Sequence, residues 1–110
     1  MSKKSNNAVE AQGAVTSEMK QFKLDEIGFR DLNGKMVKLV FDNKEFGNLL
    51  FANAPSIEMD SVAKEIHSSG TSQMTDDVLR QLDNIVQYCS HFNYRVKTAI
   101  SEYVNKLIGG

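Results

Sequence analysis

The chain has 110 residues with 13 basic and 14 acidic side chains, a formal net charge of −1, 41% hydrophobic and 25% charged residues. This length and balance fit one globular domain and rule out a multidomain enzyme, and near-neutrality argues against coating nucleic acid or a membrane surface by bulk charge. One cysteine, Cys89, allows no internal disulfide, and with two histidines it gives too few ligands for the usual four-ligand structural zinc site.

Residues 1 to about 20 are rich in Ser, Asn, Gln and Lys with scattered Ala and Val. That is too little apolar surface to offset the entropy of ordering the backbone, so a flexible arm over 1–20 is expected before a single small domain over 21–110, structured from near Phe22. No apolar block of signal-peptide length occurs there, and no run approaches the roughly 20 apolar residues of a membrane span, which points to the cytoplasm and to no membrane partner.

Asp31-Leu32-Asn33-Gly34-Lys35 forms a turn signal between Ile27-Gly28-Phe29-Arg30 and Met36-Val37-Lys38-Leu39-Val40-Phe41. A two-residue Asn33-Gly34 loop would set Leu32 opposite Lys35 and Phe29 opposite Lys38, mixing apolar and charged residues on one face. Pairing Asp31 with Lys35 instead sets Phe29 opposite Val37, Ile27 opposite Leu39 and Asp25 opposite Phe41, sorting most apolar residues to one side. This register predicts a type I turn closed by a bulge, with Gly34 at a positive φ. The other face carries Glu26, Gly28, Arg30, Met36, Lys38 and Val40, which leaves two apolar residues to cover. A two-stranded hairpin is marginal in water, so this one is expected to pack on helices and to gain a third strand or a partner chain. Phe22-Lys23-Leu24 is the local candidate; if it only extends the first strand, the hairpin keeps an open edge suited to pairing across a subunit interface.

After Phe41 the period becomes helical. Asp42 stands three residues before Glu45 in a capping-box arrangement, and Phe46, Leu49 and Leu50 follow, predicting a helix over about 43–53 that ends before Pro55. A second helix, from Glu58 or Asp60 to Ser68, presents Val62, Ala63 and Ile66 and stops at Gly70. Residues 68–73 read as a polar loop. Thr75 caps a third helix with Asp76 and Asp77 in its first turn and a stripe of Val78, Leu82, Ile85, Cys89 and Phe92. Asn93 caps a fourth with Val96, Ile100, Tyr103, Val104, Leu107 and Ile108 inward. The expected class is α+β: an N-terminal β-hairpin followed by four helices, the last two an antiparallel αα-hairpin.

Cys89, His91 and His67 invite a nucleophile or metal site, but the stripe places Cys89 among buried apolar residues, and both histidines fall at helix ends where the dipole explains them. The acidic pairs Asp76-Asp77, Asp25-Glu26 and Glu58 with Asp60 fit a solvated surface better than acid–base catalysis. The glycines form no phosphate loop or nucleophile elbow. The expectation is therefore a non-enzyme with no cofactor. The stretch from Thr75 to Ile108 has the outline of a helix-turn-helix, yet Arg80, Arg95, Lys97 and Lys106 are balanced by Asp76, Asp77, Asp83 and Glu102. Arg95 and Lys97 are the thin phosphate footprint of a DNA-binding alternative. Association remains: Phe51, Met59, Met74, Tyr88 and Tyr94 lie off the main stripes or at element ends, where they either complete a small core or contact a partner.

Leu32-Asn33-Gly34-Lys35 leading into an apolar strand, Phe46-Gly47-Asn48-Leu49-Leu50-Phe51-Ala52, and Met74-Thr75-Asp76-Asp77 opening the last helix pair together resemble small uncharacterised proteins of phages and prophages, over about residues 22–108. The resemblance implies an accessory or assembly role, such as that of tail-assembly chaperones, and assigns no individual residue. Taken with the open hairpin edge, it leads to a protein-interaction module as the expected function, with a homo-oligomer through the hairpin edge or the helix pair as one form of partnership.

Overall fold

The computed structural model describes residues 18–109, so most of the expected arm lies outside the described residues. In chain order the elements are β1 (Lys20–Lys23), a 3-10 turn (Leu24–Glu26), β2 (Gly28–Arg30), β3 (Met36–Lys38), α1 (Asn43–Ala52), α2 (Ile57–Ser69), β4 (Thr71–Met74), α3 (Asp76–Gln87) and α4 (Tyr94–Gly109). The class is α+β, with a hairpin near the N-terminus and α3 beside α4.

The β2–β3 hairpin takes the register that sorts its faces, with Gly28 opposite Lys38, Phe29 opposite Val37 and Arg30 opposite Met36. Asp31 N–H donates to Lys35 O at 2.8 Å and Gly34 N–H to Asp31 O at 3.0 Å, while the Asp31 carboxylate accepts from the amides of Asn33 and Lys35, both at 2.9 Å. Gly34 has φ 84°, the left-handed conformation the bulged turn demands. Beyond the ladder one further bond joins Leu39 N–H to Ile27 O at 2.9 Å. Asp25 lies in the 3-10 turn, so its expected pairing with Phe41 does not form.

The third strand goes elsewhere. β1 pairs antiparallel with β4, Lys20 opposite Met74, Gln21 opposite Gln73, Phe22 opposite Ser72 and Lys23 opposite Thr71, and Leu24 N–H continues to Gly70 O at 2.9 Å. The expected polar loop over 68–73 is thus corrected: α2 runs to Ser69, Gly70 caps it at φ 77°, and Thr71–Met74 is a strand. Its inward positions are Ser72 and Met74, buried with Phe22, and the Ser72 hydroxyl donates to Glu65, which satisfies a polar group that would otherwise be costly to bury. β1 begins at Lys20. The Lys20 ammonium reaches Asp76 at 3.1 Å and the carbonyls of Leu107 at 3.1 Å and Ile108 at 3.4 Å, binding β1 to the start of α3 and to the negative end of α4.

The caps follow the sequence. Asp42 accepts from Lys44 N–H, Ser56 from Met59 N–H, Thr75 from Val78 N–H and Asn93 from Val96 N–H. The core gathers Phe22, Leu24, Ile27, Phe46, Leu50, Met59, Ile66, Met74, Leu79, Leu82, Val86, Ile100 and Val104, among others. The α3 stripe is rotated from the expected one. Leu79 and Val86 are buried beside Val78 and Leu82, Ile85 is only partly buried, and Cys89 and Phe92 lie past the helix end at Gln87.

Tyr103 of α4 joins the last helix to the N-terminal strand. Its ring meets Phe22 edge-on, centroids 5.3 Å apart, and its hydroxyl accepts from Lys23 N–H at 3.0 Å and donates to Glu26 Oε1 at 3.3 Å. Burial raises the phenol's pKa above its ordinary value near 10, the Lys23 amide partly opposes this, and the charge of Glu26 adds to it. A proton held more tightly in the folded state gives stability that is complete below about pH 10 and is lost as pH rises through the raised value. Tyr103→Phe is therefore expected to cost about 1 kcal/mol at pH 7, through the lost hydrogen bond. Its deficit against wild type should shrink as pH rises above about 10 in urea unfolding, whereas a deficit constant with pH would show that the phenol's proton adds nothing to stability.

Candidate interaction surface

Three surfaces present exposed apolar side chains. The first is the outer edge of β3. The bonds at Asp31/Lys35 and Ile27/Leu39 make Phe29/Val37 the hydrogen-bonded pair between them, so Met36 and Lys38 aim their backbone N–H and C=O groups away from β2. Among the described residues no strand pairs with this edge. Met36 is 53% exposed, Val37 37% and Val40 95%, an apolar fringe on unpaired backbone. The two apolar residues left uncovered on the hairpin's polar face, Met36 and Val40, are thus uncovered in the fold as well.

A second surface runs along α1. Phe41 meets Phe46 and Phe92 edge-on at centroid distances of 5.4 and 6.2 Å, Phe46 and Phe92 lie tilted at 5.9 Å, and with Leu49 the three line a groove of about 370 Å³ together with Asp42, Glu45 and His91. Leu49 also lines an adjoining groove of about 640 Å³ that includes Asn53, Ile85, Tyr88 and Cys89. Tyr88, 91% exposed at the end of α3, stands at its side. Phe51, half-exposed on α1, faces a shallow hollow with Lys64 and His67, and the Lys64 ammonium lies 6.0 Å from its ring.

The third surface is the outer face of the β1–β4 ribbon and its flanks, where Met19 and Ile57 are exposed. Neither was singled out from the sequence. Ile57 stands just before the apolar stripe of α2, at its first residue, where spacing alone does not tell an outward side chain from an inward one.

The remaining candidates separate cleanly. Met59 and Met74 are core residues at 0% and 1% exposure, which corrects their reading as contacts: Met59 lies on the buried face of α2 and Met74 on the inward face of β4. Tyr94 opens α4 and is exposed, with the Arg95 guanidinium 5.6 Å from its ring and 5.9 Å from that of Phe29. The Lys97 ammonium donates to Gln87 O at 3.0 Å, and the Gln87 amide donates back to Lys97 O at 3.0 Å. Lys97 thus caps the end of α3 and clasps the two helices, while Arg95 is exposed beside the two rings. Cys89, expected to be buried in a helix stripe, is half-buried in the α3–α4 loop, its sulfur accepting from His91 N–H at 3.3 Å. Among the described residues no three His, Cys, Asp or Glu side chains gather as metal ligands, and no helix is long and apolar enough to cross a membrane.

Compared with protein-family models, curated proteins and solved structures, the chain matches none. What the fold defines is a small α+β unit with an unpaired strand edge and apolar grooves beside it.

Proposed function

We propose that this chain is a non-enzymatic protein-interaction module that takes up an extended segment of a partner by strand addition at β3, in an accessory or assembly role of the kind that its likeness to small phage and prophage proteins implies. The observation that carries this reading is the β3 edge, which offers outward backbone donors and acceptors at Met36 and Lys38 with apolar side chains beside them. Main-chain bonds supply affinity in such additions and alternate side chains supply selectivity.

Lys38→Pro tests it. The Lys38 N–H points away from β2, so proline removes an edge donor and leaves the hairpin's own bonds in place. A partner isolated on the wild-type chain is expected to bind this variant about tenfold more weakly, the loss of one main-chain bond with its acceptor left unsatisfied, with thermal unfolding unchanged. In the wild-type complex the amides of Met36 and Lys38 should gain protection from hydrogen exchange. Unchanged affinity, or amides that stay labile in the complex, would overturn strand addition.

A further inference from the structure

We infer that the outer face of the β1–β4 ribbon is the seat of a second copy of this chain, the two copies related by a two-fold axis near Met19. Gln21 and Gln73 stand opposite one another on that face, exposed, while Phe22, Ser72 and Met74 point inward. Met19, 51% exposed where the strand begins, lines the grooves on both sides of the ribbon.

The two grooves are opposite in charge and alike in apolar character. On the β1 side, a groove of about 730 Å³ combines Met36, Tyr103 and Leu107 with the ammonium groups of Lys38 and Lys106. Lys20 and Glu26 also lie there, but Lys20 is neutralised by Asp76 at 3.1 Å, and Glu26 is held by Lys23 at 3.9 Å and by the Tyr103 hydroxyl. On the β4 side, a groove of about 300 Å³ combines Ile57, Val62 and Val78 with the carboxylates of Glu58 and Glu65. Lys38, Lys106, Glu58 and Glu65 are all exposed, and among the described residues none of them is in an ion pair. Ile57, 84% exposed, projects from the acidic side.

A surface with a positive flank, a centre of Gln21 and Gln73 with Lys23 paired to Glu26, and a negative flank is complementary to itself under a two-fold rotation, which exchanges the flanks, and a two-fold interface places the same patch on both copies. The rotation brings each basic groove over the partner's acidic one and delivers Ile57 to the apolar wall of Met36 and Leu107. Opposed potentials of this kind fix register and speed encounter, and apolar contact at the centre supplies the affinity. An acidic or a basic peptide would match one flank and be repelled by the other.

The test is the solution mass of the full chain by sedimentation equilibrium, across protein concentration and at low and high salt. A dimer of the 12.3 kDa chain is expected, weakening with salt as the charge pairs are screened. Ile57→Asp, Lys106→Glu and Glu58→Lys, all exposed positions, should each weaken it by about tenfold or more, with circular dichroism unchanged. Mixing the Lys106→Glu and Glu58→Lys chains should restore association, because each variant then meets the opposite charge across the axis, whereas an effect within one chain would not be rescued. A monomer up to several hundred micromolar at low salt overturns the inference, as does an assembly larger than a dimer, a dimer indifferent to these variants, or failure of the mixed rescue. None of the three residues lies on β3, but Met36 and Lys38 of β3 also line the basic groove, so Lys38→Ala, which removes the ammonium and keeps the edge N–H, is the control that tells loss of the dimer from the loss of strand addition read by Lys38→Pro.

Discussion

Phe22→Ala is expected to cost about 3–5 kcal/mol, the range for truncating a fully buried phenylalanine, out of a total stability of roughly 5–15 kcal/mol for a domain of this size. Phe22 is fully buried, faces the buried Ser72 across the ribbon and carries the Tyr103 ring edge-on at 5.3 Å. Its side chain is therefore shared by β1, β4 and α4, and the cavity left by alanine would open between elements far apart in the sequence. Urea unfolding followed by circular dichroism reads the loss as a fall in midpoint with an unchanged slope. A cost below about 1 kcal/mol would mean that the ribbon is not packed as described.

Gly47→Ala should destabilise although alanine is the better helix former by about 1 kcal/mol. A Cβ at Gly47 would lie 2.6 Å from His67 Cβ and 2.7 Å from both His67 Cα and N, so it meets backbone, which cannot swing aside. α1 and α2 make the most extensive helix contact of the fold, and they touch through this missing side chain. Crowding of a packed interior costs about 1–3 kcal/mol and occasionally more, which leaves a net loss of up to about 2 kcal/mol after the helix gain. Thermal unfolding beside Gly109→Ala, where nothing lies within 4 Å of the added carbon, separates the two effects. Gly109→Ala should be neutral or mildly stabilising, and a stabilised Gly47→Ala would show that the helices part at no cost.

Local chemistry made much of this fold legible. The turn at Asp31–Lys35 has its register set by which residues share a face, and the caps at Asp42, Thr75, Asn93 and Gly70 are short-range signals that the structure places where spacing puts them. The pairing of Lys20–Lys23 with Thr71–Met74 was not legible, because Thr-Ser-Gln has the composition of a loop and its partner is some fifty positions away. The candidate surface divides for the same reason. Tyr88, Tyr94 and Phe51 stand at helix ends or on outward faces and are exposed, while Met59 and Met74 needed knowledge of helix phase and strand direction to be assigned to the core. The α3 stripe could be continued on paper through Cys89 and Phe92, since a 4-3-4-3 spacing contains no stop; the last helical bond is Tyr88 N–H to Asn84 O, after which Cys89 N–H tightens to Val86 O at 3.2 Å, and the clasp between Gln87 and Lys97 holds the chain at that end.

The ribbon also sets a schedule for the growing chain. At a synthesis rate of about 5–20 residues per second, the interval between β1 and β4 leaving the ribosome is roughly 3–10 s. Throughout that interval the Phe22 strand has been made and its pairing partner has not, although residues 24–70 are free to form the hairpin, α1 and α2. Among the described strands β1 is made before the others and is among the last to be buried, so whatever shields nascent apolar segments in the cell is needed while it waits for β4, and slowing translation would lengthen the exposure of Phe22 rather than help the domain fold.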